Sequence, residues 1–542
     1  MGVAMRGFAL VNGNIYVSFK PILRVEAAVI LGNRVAYVGS EAGALSRARA
    51  LSINTIDLKG KTVLPGFIDA HIHLDSLGSF LNTLSLTGVR SIGELKTRLR
   101  SYAANHRENW IIGRGWDQEM LEEKRYPTRW DVDEAVSERP VFLSRVCGHV
   151  AVVNTRALEL TGLAGGGVPG VLKNGAGVPT GLVTGKALET VRNMLEEQTS
   201  FEERKKLLMD GLLYSASQGV TTVGFVSCGS ASFRALQELE AELGRLPVRV
   251  RAYLNPGEAG EIGLHALKHG SPFLRVNGVK LFADGSLGAR SALLSKPYSD
   301  SPEASGCASM DEATLHARVK EACEKGMQVA VHAIGDKAVE NTLKAFEAFA
   351  ECSRRLRHRI EHASVLRSDL MGVMRRLSVA VVVQPHFVMT DWWVVDRVGV
   401  ERAGFVYPFK TLAGNVKLGL STDAPVEPLN PWETVYAATT RGKHEGIPLY
   451  QHTAGECLTL EEALHFYTEG SAYALLEENE LGTLNEGKLA DMVVVDKDPF
   501  NVPLEDVRGI MVLATFVDGC CTFTRGEYSG LEGLEKSFTQ SL

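Results

Sequence analysis

Eight apolar, strand-like runs alternate with helix-length amphipathic stretches through the middle of the chain, and shorter strand-like runs recur at both ends. Alternating strands and helices are typical of parallel βα units, and eight such units close a barrel. One connection in the middle is too long for a single crossover. These observations predict an α/β fold class: a (β/α)8 TIM-like barrel, a composite β-sandwich from both termini, and a cap inserted after strand one.

The two ends of the chain are predicted to be rich in strands. Near the N-terminus, the turn sequences Asn12-Gly13 and Gly32-Asn33 separate short apolar runs in what we expect to be a small antiparallel sheet. Near the C-terminus, Val517-Asp518-Gly519 separates two further runs. Two segments of one type around a different middle predict a composite β-sandwich of residues 1–63 and 480–542.

The middle of the chain, residues 64–479, is predicted to form the barrel. Amphipathic helical patterns lie between several of its strands, and the pattern at 203–217 has an apolar stripe of the kind that faces a core. The eight predicted strands are residues 63–70, 220–226, 248–254, 276–282, 328–332, 359–362, 379–384 and 417–421.

One connection in the barrel is far longer than a crossover needs. About 150 residues separate the first and second predicted strands, so residues 75–200 are predicted to be an inserted cap. Within it, 110–116 and 141–153 are predicted to be strands. The glycine-rich stretch 162–185 is predicted to be an exposed, mobile loop.

The composition indicates an ordinary globular protein with a sizeable core: 45% of the 542 residues are hydrophobic and 23% are charged. The formal net charge of −6 without a long basic block gives no electrostatic case for a nucleic acid or a membrane surface as partner. Small molecules are therefore the expected partners, and a homo-oligomer is possible although no interface signature is found.

The lack of a secretory signal and the pattern of the cysteines favour a cytoplasmic protein. The N-terminus lacks the apolar stretch of a secretory signal, and no run of about 18 apolar residues could span a membrane. None of the eight cysteines forms a Cys-x-x-Cys pair. We therefore expect scattered thiols in a reducing compartment rather than a disulfide framework.

Potential metal ligands stand at or near the C-terminal ends of five predicted barrel strands, the end at which reactive residues lie in this fold class. Each has an ordinary explanation alone; Lys280 could extend its stem to the surface, and Asp423 could begin a turn. Their recurrence at one end of one barrel predicts a shared site. The candidates are His71 and His73 after strand one, Lys280 in strand four, His332 in strand five, His362 in strand six and Asp423 after strand eight.

Imidazole and carboxylate ligands together suit a divalent metal, zinc above all, which lowers the pKa of bound water toward neutrality. Lysine does not fit this set directly, because an ammonium group cannot bind a metal. Addition of carbon dioxide to the Lys280 amine would give a carbamate whose two oxygens could bridge two ions. The sequence thus predicts one or two metal ions and, as a hypothesis, a carbamylated Lys280.

Six motifs extend over nearly the whole chain. They are Pro65-Gly66-Phe67-Ile68-Asp69-Ala70-His71-Ile72-His73, Gly113-Arg114-Gly115-Trp116-Asp117, Lys280-Leu281-Phe282-Ala283-Asp284-Gly285-Ser286-Leu287-Gly288, Val331-His332-Ala333-Ile334-Gly335-Asp336, Ile360-Glu361-His362-Ala363 and Gly487-Lys488-Leu489-Ala490-Asp491-Met492-Val493-Val494. Together they make the chain resemble the amidohydrolase superfamily, and within it the amidohydrolase-3 group that includes N-substituted formamide deformylases.

The resemblance implies a distorted metal-binding barrel with a β-sandwich built from both chain ends. It implies that His71, His73, Lys280, His332 and His362 hold one or two metals. Asp423 is implied as a further ligand and as the base that shuttles protons. A metal-activated hydroxide would then attack a non-peptide amide, and Asp423 would pass the proton to the leaving nitrogen. The expected substrate is a small-molecule amide.

Five further residues are candidate substrate contacts. Three lie in the predicted cap, one follows strand four and one follows strand seven, near the end of the barrel that carries the metal ligands. In chain order they are Trp116, Asp117, His149, Arg290 and His386.

Three alternatives remain open. A lactonase or phosphotriesterase uses the same kind of hydroxide on esters. A non-catalytic regulatory protein could retain the fold without turnover. A cupin-type metal oxygenase is also rich in His-x-His, but that fold is all-β and would not supply the helical stripes between the strands.

Overall fold

The computed structural model describes residues 7–106, 109–145, 150–258 and 270–526. The chain divides into two compact units, one of residues Gly78–Leu207 and one of Met1–Leu77 together with Leu208–Leu542. The boundaries at 63/64 and 479/480 fall inside the larger unit and stay predictions. Strands are numbered β1–β24 in chain order.

Strands from both chain ends share one sheet in the larger unit. The first sheet has the order β5-β4-β1-β6, and the second has the order β24-β23-β22-β7-β2-β3. In the second, Val63 of β7 lies opposite Val494 of β22 in antiparallel register. The N-terminal sheet is mixed rather than purely antiparallel, because β1 pairs with β6 in parallel. The strands are β1 (Gly7–Val11), β2 (Asn14–Phe19), β3 (Ile22–Val25), β4 (Ala27–Leu31), β5 (Arg34–Gly39), β6 (Asn54–Asp57), β7 (Thr62–Pro65), β22 (Met492–Val495), β23 (Val512–Val517) and β24 (Cys520–Thr524).

Eight parallel strands form the nearly closed barrel that the sequence predicts, in the order β21-β20-β19-β18-β17-β16-β15-β8. Every residue of β8, β16, β19 and β20 is buried, as expected for strands covered on both faces. At the end of β8, the backbone N–H of Asp423 donates to His71 O at 2.9 Å. This bond joins the first and last strands. The strands are β8 (Phe67–Ile72), β15 (Val220–Cys228), β16 (Arg249–Leu254), β17 (Leu274–Phe282), β18 (Gln328–Ala333), β19 (Arg359–His362), β20 (Ala380–Val383) and β21 (Lys417–Leu420).

The stretch predicted as the first barrel strand, 63–70, is two strands in two sheets. Gly66 N–H donates to Asp491 O at 2.9 Å and Phe67 N–H donates to Gly219 O at 3.1 Å, so the chain changes partners between them. A Cβ on Gly66 would lie 2.3 Å from the Thr221 methyl carbon, so this crossing point requires glycine. Hydrophobic periodicity does not reveal the break, because both halves are buried and apolar.

Helices connect the barrel strands and cover them. The helix Phe201–Ser217 buries Leu208, Leu212 and Ala216 of the predicted stripe, whereas Leu213 of the same pattern is 37% exposed. The remaining α-helices wholly or partly in the larger unit are Glu41–Leu51, Leu74–Leu81, Ser230–Leu243, Glu312–Glu324, Asp336–Ala348, Ala350–Leu356, Met371–Arg376, Phe387–Thr390, Val394–Val398, Val400–Ala403, Phe409–Ala413, Pro431–Thr440, Tyr450–Thr453, Leu460–His465 and Ser471–Ala474, with shorter 3-10 or π turns at Ser368–Leu370, Ala454–Glu456, Phe466–Gly470 and Leu504–Gly509.

The smaller unit contains a six-stranded sheet in the order β13-β14-β12-β11-β10-β9. Its strands are β9 (Leu84–Ser85), β10 (Ile111–Trp116), β11 (Val141–Arg145), β12 (Val150–Val153), β13 (Val171–Lys173) and β14 (Pro179–Thr184), and its helices are Ile92–Asn105, Arg129–Asp133, Thr155–Leu160 and Gly185–Gln198.

The prediction of a mobile loop at 162–185 is wrong. This stretch contains β13 and β14, which pair antiparallel with Val171 opposite Val183. A Cβ on Gly170 would lie 2.0 Å from Thr184 O, so this glycine allows a close backbone approach. The glycine content therefore reflects tight packing here as well as turns.

One pair of cysteines departs from the prediction of scattered thiols. Cys323 and Cys352 form a disulfide, with their Cα atoms 6.0 Å apart. They lie on the helices Glu312–Glu324 and Ala350–Leu356, 29 positions apart in sequence. Such a spacing carries no motif, so only the packing of the two helices brings the sulfurs together. Among the described residues, no helix has the length and apolarity to cross a bilayer.

Candidate metal centre

His71 stands at the end of β8 with its side chain almost completely buried, 1% exposed. Its Nδ1 lies 2.5 Å from Glu361 Oε2. Because a carboxylate only accepts hydrogen bonds, Nδ1 carries a proton, and Nε2 is the ring nitrogen that remains to bind a metal. The imidazole is therefore held in the orientation that can bind a metal through Nε2.

Glu361 is itself held by a buried arginine. Arg359 donates from Nε to Glu361 Oε1 at 2.6 Å and from Nη2 to Oε2 at 3.2 Å, and both side chains are fully buried. Burial alone would raise the pKa of the Glu361 carboxyl, but Arg359, followed by His71 and Lys280, holds that pKa well below its usual range. Glu361 is consequently ionised when it orients His71.

His362, at the end of β19, is oriented in the same way by an amide. Its Nδ1 lies 2.7 Å from Gln384 Oε1, while Gln384 Nε2 donates to Ser421 Oγ at 2.9 Å. The amide oxygen accepts the Nδ1 proton, so Nε2 of His362 carries a lone pair. The backbone of His362 has φ 75°, a left-handed conformation that costs about 1–3 kcal/mol in a non-glycine residue.

Asp423 supplies a buried oxygen that has no hydrogen-bond partner. Its Oδ1 lies 3.3 Å from His71 Nε2 and 3.2 Å from His73 Nε2. Two such atoms approach each other favourably only if a positive charge lies between them, and either a proton on His71 Nε2 or a metal ion in its place supplies that charge. Ligand atoms of His71, His362 and Asp423 all lie within 4.8 Å of one another, so the donor set fits a metal ion.

Lys280 of β17 points into the same cluster. Its Nζ lies 3.3 Å from His71 Nε2 and 5.1 Å from the centre of the Phe282 ring. Burial lowers the pKa of Lys280 to about 8, although Glu361 and Asp423 oppose the shift. The ammonium form still predominates at pH 7, but the neutral amine is far more abundant than in an exposed lysine.

His332 of β18 lies beside the cluster, with its ring centre 4.5 Å from that of His362. Its Nε2 lies 2.9 Å from Gly285 O, so this nitrogen donates to the carbonyl and Nδ1 carries the lone pair. Burial, followed by the charge of Lys280, lowers the pKa of His332 to about 4. All six predicted ligands thus fall within one region, with His332 and His73 at its edges.

Asp69 is a residue of this region that sequence reasoning missed as functional. It accepts hydrogen bonds from Thr422 Oγ1 at 2.7 Å, Thr422 N–H at 3.1 Å, Tyr467 Oη at 3.0 Å and His71 N–H at 3.3 Å. Burial raises the pKa of Asp69 to about 6, while the hydrogen bonds from Thr422 oppose this. Asp69 connects β8 to the segment that carries Asp423, and an acidic residue inside an apolar run is the signal that could have identified it.

The candidate substrate contacts have other partners where they are described. In the smaller unit, the ring N–H of Trp116 donates to Leu143 O at 2.8 Å with the ring fully buried, and Asp117 pairs with Arg145 at 2.8 Å. His149 lies outside the described residues. Their roles toward a substrate stay predictions.

In the larger unit, Arg290 donates to Asp300 at 2.8 Å. His386 contacts the buried carboxylate of Glu427 through Nδ1, and Thr390 Oγ1 donates to the other oxygen of Glu427 at 2.5 Å. These substrate roles also stay predictions.

Comparison with known proteins agrees with this geometry. The sequence profile of the amidohydrolase family matches residues 54–523. The chain is 33% identical to "Putative amidohydrolase YtcJ" of Bacillus subtilis over 94% of this chain and 98% of that protein. It is 26% identical to the N-substituted formamide deformylase of Arthrobacter pascens over 96% of this chain and 99% of that protein. The crystal structure of an uncharacterized metal-dependent hydrolase from Pyrococcus horikoshii shares 40% identity, covering 92% of this chain and 99% of that one, with a TM-score of 0.82.

The nearly closed barrel and its buried histidine and carboxylate cluster define a barrel hydrolase with a divalent-metal ligand set. The chain belongs to the amidohydrolase family. The resemblance drawn from the motifs and the predicted barrel are thereby confirmed.

Proposed function

We propose that this chain hydrolyses a non-peptide carbon–nitrogen bond in a small-molecule amide, with the help of a divalent metal ion. The observation that carries the proposal is the convergence of His71, His362 and Asp423 in a buried site, with His71 Nε2 3.3 Å from Asp423 Oδ1 and the ligand atoms of all three within 4.8 Å of one another. The name of the Arthrobacter pascens relative, an N-substituted formamide deformylase, supports an amide as substrate.

The residues fit a zinc ion or a similar first-row ion. His71, His73, His362 and Asp423 offer the donor atoms, and His332 with Lys280 could extend the set to a second ion. Such an ion, when bound, makes water a nucleophile near neutral pH and polarises a carbonyl oxygen. Zinc is favoured over magnesium or calcium because imidazole predominates among the donors.

Asp423 is the residue we assign to proton transfer. Burial would raise the pKa of Asp423, but the neighbouring His71, with His73 and His362, holds it well below the usual range. An ionised carboxylate at this position can accept the proton of the attacking water and deliver it to the leaving nitrogen. Without that delivery the nitrogen would leave as an unstable anion.

Arg359, Glu361 and Gln384 keep the ligands in position. Glu361 fixes the proton of His71 on Nδ1, and Gln384 does the same for His362. Each ring is therefore oriented with Nε2 toward the other candidate ligands before any ion arrives, which reduces the reorganisation that binding requires. These three are positioning residues that need not touch the substrate.

The proposal is tested by metal analysis of the purified protein combined with a substrate screen. The screen contains N-formyl amines, N-acyl amines, cyclic amides and lactones, each assayed with the metal-loaded and the chelated protein. We expect about one or two divalent ions per chain and metal-dependent release of an amine. Turnover of lactones alone would contradict the amide assignment, and a metal-loaded protein inactive on every class would contradict hydrolysis of these bonds.

A further inference from the structure

The disulfide between Cys323 and Cys352 has a buried histidine within hydrogen-bond distance of the Cys323 sulfur. His358, the residue immediately before β19, has its Nε2 3.4 Å from Cys323 Sγ. Its Nδ1 accepts a hydrogen bond from Val329 N–H at 3.2 Å. An imidazole that accepts at Nδ1 carries its proton on Nε2, so His358 donates to the sulfur of Cys323.

The environment keeps His358 in this neutral form. The side chain is completely buried and its ring lies 5.1 Å from the ring of Phe346. Burial lowers the pKa of His358 to about 4, so the ring holds one proton at neutral pH. The single proton is committed to the sulfur because the other nitrogen is occupied by the backbone.

The other sulfur belongs to a residue that lines a surface pocket. Of the two bridged cysteines, Cys352 lines an open surface pocket formed by residues 347–352 and Arg355. Both cysteines are partly exposed. Cys352 is therefore accessible from this pocket, whereas Cys323 is in contact with a buried hydrogen-bond donor.

We propose that Cys323 and Cys352 form a site of thiol–disulfide exchange that takes a dithiol reductant and reacts in a fixed direction. A thiolate of the reductant attacks Cys352 Sγ and forms a mixed disulfide with it. The Cys323–Cys352 bond breaks, and its electron pair leaves on Cys323 Sγ, stabilised by the Nε2–H of His358. The second thiol of the reductant then displaces Cys352 as a thiolate. The reductant ends as a disulfide, and the chain has gained two electrons.

The direction follows from the leaving group. In exchange reactions the sulfur whose thiolate is more stable leaves faster, and a hydrogen bond to the thiolate increases that stability. Cys323 has such a bond and Cys352 lies at the pocket, so access and leaving-group stability favour the same direction. The site is separate from the proposed hydrolysis, because it lies before β19 whereas His362 lies at the opposite end of that strand.

The test uses a monothiol as reductant, because the mixed disulfide that it forms marks the attacked sulfur. The free thiols of the native full chain are first blocked with iodoacetamide. Reduced glutathione is then added, the leaving thiolate is trapped with N-ethylmaleimide, and peptides are mapped by mass spectrometry. We expect glutathione mainly on Cys352 and maleimide mainly on Cys323. The reverse distribution, equal labelling, free thiols at both positions before reduction, or no reaction until the chain unfolds would overturn the proposal.

The role of His358 is tested by His358→Asn, in which the amide oxygen can still accept from Val329 N–H while the donor to sulfur is lost. We expect the reduction rate by glutathione to fall by roughly threefold to tenfold, with the thermal midpoint reported alongside. The matched control is His316→Asn, a histidine of the Cys323 helix whose ring contacts Phe349 at 4.7 Å. An unchanged rate in folded His358→Asn, or an equal fall in the control, would overturn the role of His358. If His358→Asn does not fold, the peptide map of the native chain decides the proposal.

Discussion

At the scale of single residues, proton placement determines what the site can bind. The His71 ring contacts a carboxylate at Nδ1 and an oxygen without a proton at Nε2. Moving one proton between these nitrogens would turn a metal ligand into a hydrogen-bond donor. Glu361 prevents that exchange, and Arg359 keeps Glu361 charged.

Asp423→Asn should separate proton transfer from metal binding. The amide can still offer an oxygen, but it cannot accept a proton, so we expect turnover to fall about a hundredfold or more. Metal content should fall less than in the double variant His71→Ala/His73→Ala. Steady-state assays measure turnover, and mass spectrometry measures metal content. Equal metal loss in both proteins would show that Asp423 acts as a ligand alone.

Glu361→Gln should weaken metal binding without removing a ligand. The neutral amide pairs poorly with Arg359 and no longer enforces the proton on His71 Nδ1, so we expect affinity to fall about tenfold to a hundredfold. Competition with a chromogenic chelator measures it. Glu347→Gln is the control, because Glu347 makes an exposed ion pair with Arg376 at 2.7 Å. Equal affinities in both variants would refute the positioning role of Glu361.

Lys280→Ala tests the carbamate. If the modified amine holds metal, the variant loses occupancy and recovers part of it with added acetate or propionate, which replace the missing carboxyl group. Occupancy is measured on protein dialysed against a fixed free zinc concentration. A variant that keeps full occupancy would show that Lys280 does not carry a ligand.

At the scale of elements, the step from β7 to β8 transfers the chain from the terminal sheet to the barrel. Gly66 is the point of transfer, and its φ is ordinary, so packing rather than backbone conformation requires glycine. The residues on either side are buried in different sheets. A side chain at position 66 would therefore disturb both sheets.

Gly66→Ala should lower the free energy of unfolding by about 1–3 kcal/mol, because the new methyl group would overlap Thr221. Denaturant unfolding measures the change. Gly372→Ala is the matched control, since Gly372 lies in the helix Met371–Arg376 with open space at its Cβ position. For Gly372→Ala we expect no loss of unfolding free energy, or a small gain because alanine has the higher helix propensity. Equal losses in both would indicate a general cost of substitution rather than a packing constraint.

The sequence predicts the barrel strands, and the position of the candidate ligands at one edge, for one physical reason. Barrel strands are short, apolar and end in polar residues at a single edge, and that pattern is local. Asp69, Glu361 and Gln384 act through partners that are distant in sequence, so local patterns do not assign their roles. The same holds for the disulfide and for β13 and β14, where tertiary packing determines the outcome.

At the scale of the whole molecule, a half-buried carboxyl makes stability depend on pH. Burial raises the pKa of Asp391 to about 6, although the hydrogen bond from Tyr407 at 2.5 Å opposes the shift. The folded state therefore binds this proton more tightly than the unfolded state. The resulting stabilisation is present below about pH 4 and is lost as pH rises through about 6.

Asp391→Asn should remove this dependence, since the amide is neutral at every pH and can still accept from Tyr407. Relative to the variant, the free energy of unfolding of the native chain should fall by up to about 3 kcal/mol between pH 4 and 7. Unfolding in denaturant across that range measures the difference. A constant difference between the two proteins would show that Asp391 does not titrate there.

The hydrogen bond from Asp423 N–H to His71 O has a consequence for the molecule as a whole. His71 and Asp423 connect the two ends of the barrel sheet through their backbones. The same two residues are candidate metal ligands through their side chains. Because this hydrogen bond fixes the backbones of both candidate ligands, barrel closure itself sets the separation at which their side chains would meet an ion.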